Sequence, residues 1–415
     1  GTETTVEVLR NCTTDMANII EENKNIVLDI QSYKIVSGIE NLFTNNGRFK
    51  IVDSIGNGRI ISAKGTILKN EETGNFAINN ITMQMTGSSA IDETIENKGM
   101  LEVTGGVIIS DGLKNKCINN IEQGTVKITG GTVSAYTYAI YNTSSNKVEI
   151  EGGTVQATYY YEGYSAIYNN TENGVVEIKG GLVTNQGKAI ENKKGTIKVT
   201  GGEIRTTQGD TRYSECGIYN NGKVIIEDGK VAALYRGSGI QNEGGTIEIT
   251  GGTVSAPEWY NSIINRGTLE ISGGTIKSNE KGIYNNSILK MTGGTVEVQE
   301  SKSYNYAALE CGGGTATIEG GTIKYNNVGN TNYNTAAIRI TTNSATLTLG
   351  KEDGNVSTIN PEIIGSTYGI SNEGNGQFNF YDGIVKGILA AISGNITRVE
   401  DKYTLVGETE DNYQT

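Results

Sequence analysis

Tyrosine is the residue type whose placement most strongly indicates a binding function in this chain. There are 22 tyrosines, and none of them lies between Tyr33 and Tyr136. An exposed tyrosine offers a flat apolar face and a polar tip, which suits stacking against a sugar ring or another protein. The alternative is that the rings only stack on one another, as strand residues do. The candidate ligand-binding residues are Tyr136, Tyr138, Tyr141, Tyr159, Tyr160, Tyr161, Tyr164, Tyr168, Trp259 and Tyr260.

Catalytic chemistry has much less support from the residues present. The chain contains no His, which excludes Ser-His and Cys-His catalysis and any His-ligated metal. Charged side chains depart from the repeat pattern in one stretch, where a catalytic or calcium site would be sought first. A solvated loop with ion pairs worth about 0–1 kcal/mol each is the alternative interpretation. The residues in question are Glu203, Arg205, Asp210, Arg212, Glu215, Asp228, Lys230 and Arg236.

Net charge excludes two classes of partner. The formal charge is −12 at pH 7, and an acidic protein is repelled by nucleic acid and by anionic membrane surfaces. No apolar run approaches the roughly 18 residues that a membrane-spanning helix requires. We therefore expect neither nucleic acid as a partner nor insertion into a membrane.

A glycine phrase recurs along most of the chain. "TGGTV" at 129–133 returns with small changes, for example as "EGGTV" at 151–155 and "SGGTI" at 272–276. The spacing averages about 24 residues, which is typical of a solenoid repeat. The second glycines of the phrase are Gly106, Gly131, Gly153, Gly181, Gly202, Gly229, Gly252, Gly274, Gly294 and Gly321.

A second phrase lies between these glycines: Ile or Leu followed two residues later by Asn, as in "AIYN" at 139–142. The aliphatic residue of the phrase is predicted to point inward. Cys311, Ile340 and Gly394 stand where Asn is expected in three of the repeats. The predicted Asn members are Asn41, Asn80, Asn97, Asn120, Asn142, Asn169, Asn192, Asn220, Asn242, Asn265, Asn285 and Asn372.

The periodicity within one repeat predicts strands. Val126 and Ile128 alternate with polar residues, which indicates a strand with one buried face. Two glycines then turn the chain, Val133 begins a second short strand, and Ile140 and Asn142 point inward from a third. We therefore predict an all-β, single-stranded parallel β-helix of about 14–15 coils of roughly 24 residues, with three short strands per coil. Inward asparagines would form an amide ladder, because an unpaired buried amide costs about 1–3 kcal/mol.

Both ends of such a solenoid need a cover. Residues 1–24 are predicted to form an N-terminal cap with a short amphipathic helix at 13–24, which Thr13 or Thr14 would cap. Met16, Ile19 and Ile20 would share its apolar face. The parallel β-helix is predicted to occupy 25–399, and 400–415 to form a polar tail or linker.

These features resemble the pectin-lyase-like right-handed β-helix superfamily. The "GGTV…AIYN" repeats are most similar to adhesin-like β-helix regions of secreted or wall-attached proteins of Gram-positive bacteria. The superfamily includes lyases, hydrolases and non-catalytic adhesins, so the resemblance implies a fold more strongly than an activity. Its pectate-lyase members carry a "WxDH" motif, which "PEWYNS" around Trp259 does not match.

We therefore expect a non-catalytic, extracellular adhesin-like protein, secreted or attached to a cell wall. Its tyrosine-rich edge would bind a polysaccharide or a glycoprotein, and no cofactor or metal is predicted. One alternative is a calcium-dependent polysaccharide lyase of the pectate type, with calcium at the charged stretch described above. A second is a structural stalk that belongs to a larger surface protein.

Overall fold

The computed structural model describes residues 1–87, 93–113, 115–159, 163–207, 215–257, 259–299, 306–326, 335–351 and 361–394. The chain divides into two compact units, unit 1 (Gly1–Ser214) and unit 2 (Glu215–Thr415). Each unit is an all-β parallel solenoid, and together they have about 14 turns. The predicted fold class is confirmed.

Unit 1 contains strands of three to five residues and two long strands that continue around corners. They are β1 (Glu3–Glu7), β2 (Cys12–Thr14), β3 (Asn18–Ile20), β4 (Asn25–Asp29), β5 (Lys34–Ser37), β6 (Asn41–Asn45), β7 (Arg48–Val52), β8 (Arg59–Ser62), β9 (Thr66–Asn70), β10 (Asn75–Asn79), β11 (Thr82–Met85), β12 (Glu93–Asn97), β13 (Met100–Val103), β14 (Val107–Ser110), β15 (Lys116–Asn120), β16 (Thr125–Ile128), β17 (Thr132–Ala135), β18 (Tyr138–Asn142), β19 (Val148–Ile150), β20 (Thr154–Ala157), β21 (Ser165–Ile178), β22 (Leu182–Asn185) and β23 (Lys188–Thr206).

Unit 2 follows the same plan. Its strands are β24 (Cys216–Asn220), β25 (Lys223–Ala233), β26 (Ser238–Asn242), β27 (Thr246–Ile249), β28 (Thr253–Ala256), β29 (Asn261–Asn265), β30 (Thr268–Ile271), β31 (Thr275–Ser278), β32 (Lys281–Asn285), β33 (Ile288–Met291), β34 (Thr295–Val298), β35 (Ala307–Cys311), β36 (Gly314–Ile318), β37 (Thr322–Tyr325), β38 (Ala336–Ile340), β39 (Ala345–Leu349), β40 (Glu362–Gly365), β41 (Tyr368–Asn372), β42 (Gln377–Phe380), β43 (Ile384–Gly387) and β44 (Ala390–Gly394).

Three strands make one turn, and each strand pairs in parallel with the strand at the same place in the next turn. In unit 1, for example, β10 pairs with β13 and β13 pairs with β16. Side chains alternate between the inside and the outside of the coil, as the sequence predicts. Val126, Ile128, Val133 and Ile140 are at most 1% exposed, so each turn contributes its aliphatic residues to one continuous core within its unit.

The glycine phrase forms a corner that only glycine can occupy without strain. Gly131 has φ +75°, and a Cβ atom there would lie 2.6 Å from the carbonyl oxygen of Gly106 in the previous turn. The other second glycines of the phrase also have positive φ. The corner is therefore fixed by the left-handed backbone and by the close approach of the turn next to it.

A ladder of buried asparagines runs through each unit. In every step the side-chain Nδ2 donates to the Oδ1 of the next asparagine, at 2.7–2.9 Å. Cys311 and Ile340 occupy the ladder position in later turns of unit 2. The ladder members are Asn45, Asn70, Asn97, Asn120, Asn142, Asn169 and Asn192 in unit 1, and Asn220, Asn242, Asn265 and Asn285 in unit 2.

Two of the predicted ladder members are wrong, and a third, Asn372, lies at the ladder position between Ile340 and Gly394 and bonds the backbone of Gly376. Asn41 lies four residues before the true member Asn45 on β6. Asn80 is exposed at a turn with φ +56°, and its amide donates to the carbonyl of Asp53. The Ile-x-Asn phrase at 78–80 is a coincidence. Ile78 is buried on β10, which pairs with β13 and does not belong to the row of strands that carries the ladder.

The N-terminal helix predicted at 13–24 is absent. Cys12–Thr14 and Asn18–Ile20 are strands, paired with β5 and β6. Ile20 is buried, whereas Met16 and Ile19 are exposed, so the three do not share a buried face. A twelve-residue helix is marginal without packing, and pairing with the next turn supplies the backbone hydrogen bonds instead. The predicted tail, 400–415, lies outside the described residues.

We predict that Asn120→Ala destabilises unit 1. The Asn120 side chain donates to Asn142 and to the Gly124 carbonyl, and it accepts from Asn97. Its removal leaves buried amide groups unpaired, at a cost of about 2–4 kcal/mol. Urea unfolding followed by circular dichroism should show a lower midpoint. Asn79→Ala, at an exposed position, should change stability by no more than about 0.5 kcal/mol; equal effects of the two variants would contradict the ladder's role.

A buried aspartate organises an early corner of unit 1. Asp53 is 2% exposed and accepts hydrogen bonds from the backbone N–H groups of Ser32, Ile55 and Gly58. Burial alone raises the pKa of Asp53, but these N–H donors outweigh it and hold the pKa below its usual value of 3.8. The ionised carboxylate is thus the form that the folded chain stabilises.

This lowered pKa predicts acid sensitivity. A carboxylate whose folded pKa is depressed contributes stability above its unfolded pKa, and that stability is lost as the pH falls through the folded value. Asp53→Asn should therefore lower the urea midpoint strongly at pH 7 and much less at pH 2.5. Asp15→Asn, at an exposed residue, is the control at both pH values. An Asp53→Asn deficit that is the same at both would contradict the pKa assignment.

Candidate functional site

A cluster of tyrosines lies on the outer surface of unit 1, contributed by two successive turns. All six side chains are half-buried, and each ring contacts at least one other. This tyrosine cluster consists of Tyr136, Tyr138 and Tyr141 from one turn and Tyr159, Tyr164 and Tyr168 from the next.

Strand register places the two central rings face to face. Tyr141 on β18 pairs with Tyr168 on β21, directly beside the ladder pair Asn142 and Asn169. Their ring centroids are 4.8 Å apart, and the ring planes differ by 15°. This is a stacked pair whose outer edges remain accessible, and its geometry follows from the register of the ladder next to it.

Tyr138 is the hub of the cluster. Its ring contacts Tyr141, Tyr164 and Tyr168 in edge-to-face arrangements at 5.2–5.6 Å between centroids. Its hydroxyl donates to the backbone carbonyl of Gly163. Such edge-to-face pairs add about 0.5–1.5 kcal/mol each beyond the burial of area, so the rings are held in defined positions.

Polar groups border the cluster on the side of the preceding turn. The Lys116 Nζ lies 4.1 Å from the centroid of the Tyr141 ring. It also lies 3.2 Å from the Asn119 Oδ1 atom, and the Asn119 Nδ2 donates to Glu93 at 2.9 Å. A cation, an amide and a carboxylate thus border the stacked rings. Asn119 is only 6% exposed and holds its two neighbours in place, whereas Lys116 and Glu93 are partly exposed and can hydrogen-bond a ligand.

On the side of the following turn stands a buried carboxylate. Glu191 pairs in register with Tyr168 and is 2% exposed. Its Oε1 lies 2.8 Å from the Lys193 Nζ and 3.5 Å from the Lys188 Nζ. Its Oε2 has no hydrogen-bond partner among the described residues. Glu191 therefore places a negative charge and an unused acceptor beside the cluster.

This environment changes the acidity of two cluster hydroxyls. Burial, together with the Glu191 carboxylate and the neighbouring tyrosines, raises the pKa of Tyr138 well above its usual value of 10.0. Burial, Tyr141 and Glu191 also raise the pKa of Tyr168. Both hydroxyls therefore ionise at higher pH than a free tyrosine does, and the Tyr138 hydroxyl keeps the proton that it donates to Gly163.

The structure brings together six of the ten candidate ligand-binding residues named from the sequence. Tyr160 and Tyr161 lie outside the described residues. Trp259 and Tyr260 belong to unit 2, where Trp259 is exposed and Tyr260 is half-buried. Neither is assigned to the tyrosine cluster of unit 1.

Sequence reasoning missed Lys116, Asn119 and Glu191. Asn119 and Glu191 occupy the outward position immediately before a ladder asparagine, the same position as Tyr141 and Tyr168. An alignment of every residue at that position, rather than of the tyrosines alone, could have identified both. Lys116 reaches the cluster through the length of its side chain, which no spacing pattern reveals.

The described residues of the charged stretch considered for a calcium site do not gather into one. In unit 1, Arg205 pairs with Glu203 at 3.1 Å, and Asp210 and Arg212 lie outside the described residues. In unit 2, Asp228 is exposed and accepts a hydrogen bond from the N–H of Gly229. No group of three or more acidic or Cys side chains in the described part of the chain is placed to hold a metal ion.

Comparison with known proteins yields no match. No protein-family model, curated protein or solved structure matched this chain. Within the described ranges, no helix is long and apolar enough to cross a membrane.

The raised pKa of Tyr138 predicts alkaline sensitivity. A group with a raised folded pKa contributes stability that is complete below its unfolded pKa and is lost as the pH rises through the folded value. Between pH 8 and pH 11, the urea midpoint of the wild type should therefore fall more than that of Tyr138→Phe, which has no hydroxyl to ionise in the unfolded state. Equal falls of the urea midpoint in the two proteins would contradict the pKa assignment. As a second measurement, ultraviolet titration of the folded protein should show fewer late-titrating phenols in the variant.

Proposed function

We propose that the tyrosine cluster binds the sugar rings of a polysaccharide or of a glycoprotein, and that the chain is a non-catalytic, adhesin-like protein. The observation that carries this proposal is the stacked pair Tyr141–Tyr168, bordered by Lys116 and Asn119. The Tyr141 face is covered by Tyr168 and by Lys116, so the outer edges of the stacked rings would contact the C–H groups of a sugar, and the Lys116 ammonium would bind its hydroxyls.

The rings are organised before any ligand arrives. Each half-buried ring is held by contacts with its neighbours, and Tyr138 is also held by its hydrogen bond to Gly163. Little side-chain entropy would therefore be lost on binding. Preorganisation of this kind allows a shallow surface to bind with useful affinity.

The solenoid itself does not require aromatic residues at these positions. In earlier turns of unit 1 the position of Tyr141 and Tyr168 is occupied by Thr44, Lys69 and Glu96. These polar residues are compatible with the same strand pairing and the same ladder. The concentration of tyrosine in two turns thus favours a binding role over simple stacking along a sheet.

An extracellular location, by secretion or by attachment to the cell wall, accompanies this proposal. It rests on the resemblance of the repeats to surface proteins of Gram-positive bacteria and on the position of the half-buried tyrosine cluster at the surface of unit 1. The rest of a larger surface protein is a further proposed partner.

The first experiment is a polysaccharide and glycoprotein array probed with the full chain in the presence of calcium. The chain length of each glycan is measured again afterwards. Binding with intact glycans supports the proposal. Shortened glycans would show an enzyme instead, and an array with no binding would favour a structural stalk.

The decisive variant is Tyr141→Ala combined with Tyr168→Ala. Each ring that loses a sugar contact should weaken binding about tenfold, which corresponds to about 1.4 kcal/mol, so the double variant should bind about 100-fold more weakly. The matched control is Tyr284→Ala, since Tyr284 precedes ladder residue Asn285 in unit 2 and is also half-buried. Unchanged glycan affinity in a folded double variant would show that the site is assigned wrongly.

A further inference from the structure

Trp259 has an unusual backbone conformation for its residue type. It lies in unit 2, in the turn between β28 and β29, with φ +73°. The other non-glycine residues with positive φ in the described chain are Gln, Ser, Asn and Glu. A bulky aromatic residue is a true outlier in this region, and such strain persists only where the surroundings enforce it.

The next turn of unit 2 supplies that enforcement. The backbone N–H of Trp259 donates to the Oε2 of Glu280 at 3.0 Å, and Glu280 is 2% exposed. The Glu280 turn is itself held by Ser278, whose buried Oγ accepts from the N–H groups of Glu280 and Lys281 at 3.2 and 3.1 Å. Trp259 is therefore fixed by a buried carboxylate on an adjacent turn.

The indole held in this way does not serve the core. Trp259 is 55% exposed, so its ring is presented to solvent by a strained backbone. In the preceding turn of unit 2, Leu234 and Tyr235 are 39% and 72% exposed. Glycine or asparagine at this position would relieve the backbone strain.

We propose that Trp259 is a preformed stacking platform for a hexopyranose ring, forming a glycan subsite in unit 2 that is distinct from the tyrosine cluster. This inference rests on the proposed glycan-binding function. An exposed indole presents one flat apolar face of the size of a sugar's C–H face. Glu280 acts as a positioning residue, because it holds the Trp259 backbone and leaves the indole free.

The chain offers a direct reporter, because Trp259 is its only tryptophan. The full chain is titrated with cellohexaose, maltohexaose and mannohexaose, while tryptophan emission and calorimetric heat are recorded in parallel. We expect at least one hexaose to change the emission of Trp259 saturably, with the same affinity by both methods. A hexaose that binds by calorimetry without changing the emission overturns this inference alone, whereas no binding of these hexaoses or of any glycan on the array overturns the proposed function as well.

Two variants separate a binding role from a structural one. Trp259→Gly accepts positive φ without strain, so its melting temperature should equal or exceed that of the wild type while hexaose affinity falls at least tenfold. A lower melting temperature with unchanged affinity would show that the indole serves the fold and would overturn the inference.

The positioning role of Glu280 has its own test. Glu280→Ala should weaken the emission response at least fivefold and increase quenching by acrylamide, since the turn is released. Glu280→Gln retains an oxygen acceptor and should restore most of the response. Tyr141→Ala, in unit 1, should leave the emission response unchanged; loss of the response there would contradict a separate subsite.

Discussion

The structure depends on the need of each ladder asparagine for an amide partner in a neighbouring turn. Asn120 illustrates this: it accepts from Asn97 and donates to Asn142. Only parallel strands in exact step can satisfy such a column, because a shift by one residue would turn every amide outward. The ladder therefore reinforces the register of the turns that it joins, and the glycine corners allow these turns to approach closely enough for it to form.

Once the register is fixed, the position of a residue in its repeat determines which residue of the neighbouring turn it contacts. A residue that precedes a ladder asparagine lies directly over its counterpart in the neighbouring turn, as Tyr141 lies over Tyr168. The fold can therefore build an aromatic surface from two turns without altering its core. The same rule explains how Glu191 comes to stand beside that surface. Function in such a scaffold resides in the outward positions and the variable turns, whereas stability resides in the inward ones.

The fold could be predicted from the repeats, because each inward aliphatic residue, ladder asparagine and corner glycine recurs many times. Prediction failed where a local pattern stood alone. Residues 13–24 have a weak helical pattern, but they form strands instead, because Ile20 pairs with Asn45 in the next turn. Asn80 matches the phrase by coincidence, and the even spacing of Asn45, Asn70 and Asn97 could have excluded it. The unpartnered oxygen of Glu191 and the strained backbone of Trp259 depend on side chains from other turns, which no single repeat specifies.

The central claim is that ladder register assembles tyrosines from successive turns into one sugar-binding surface. Its most direct measurement is nuclear magnetic resonance of the full chain labelled with ¹³C on the tyrosine rings, titrated with a hexaose shown to bind. We expect contacts between the Tyr141 and Tyr168 rings in the free protein and saturable shifts of both ring signals on titration, while the Tyr284 signal stays unchanged. Saturation of binding with the Tyr141 and Tyr168 signals unmoved would contradict the claim.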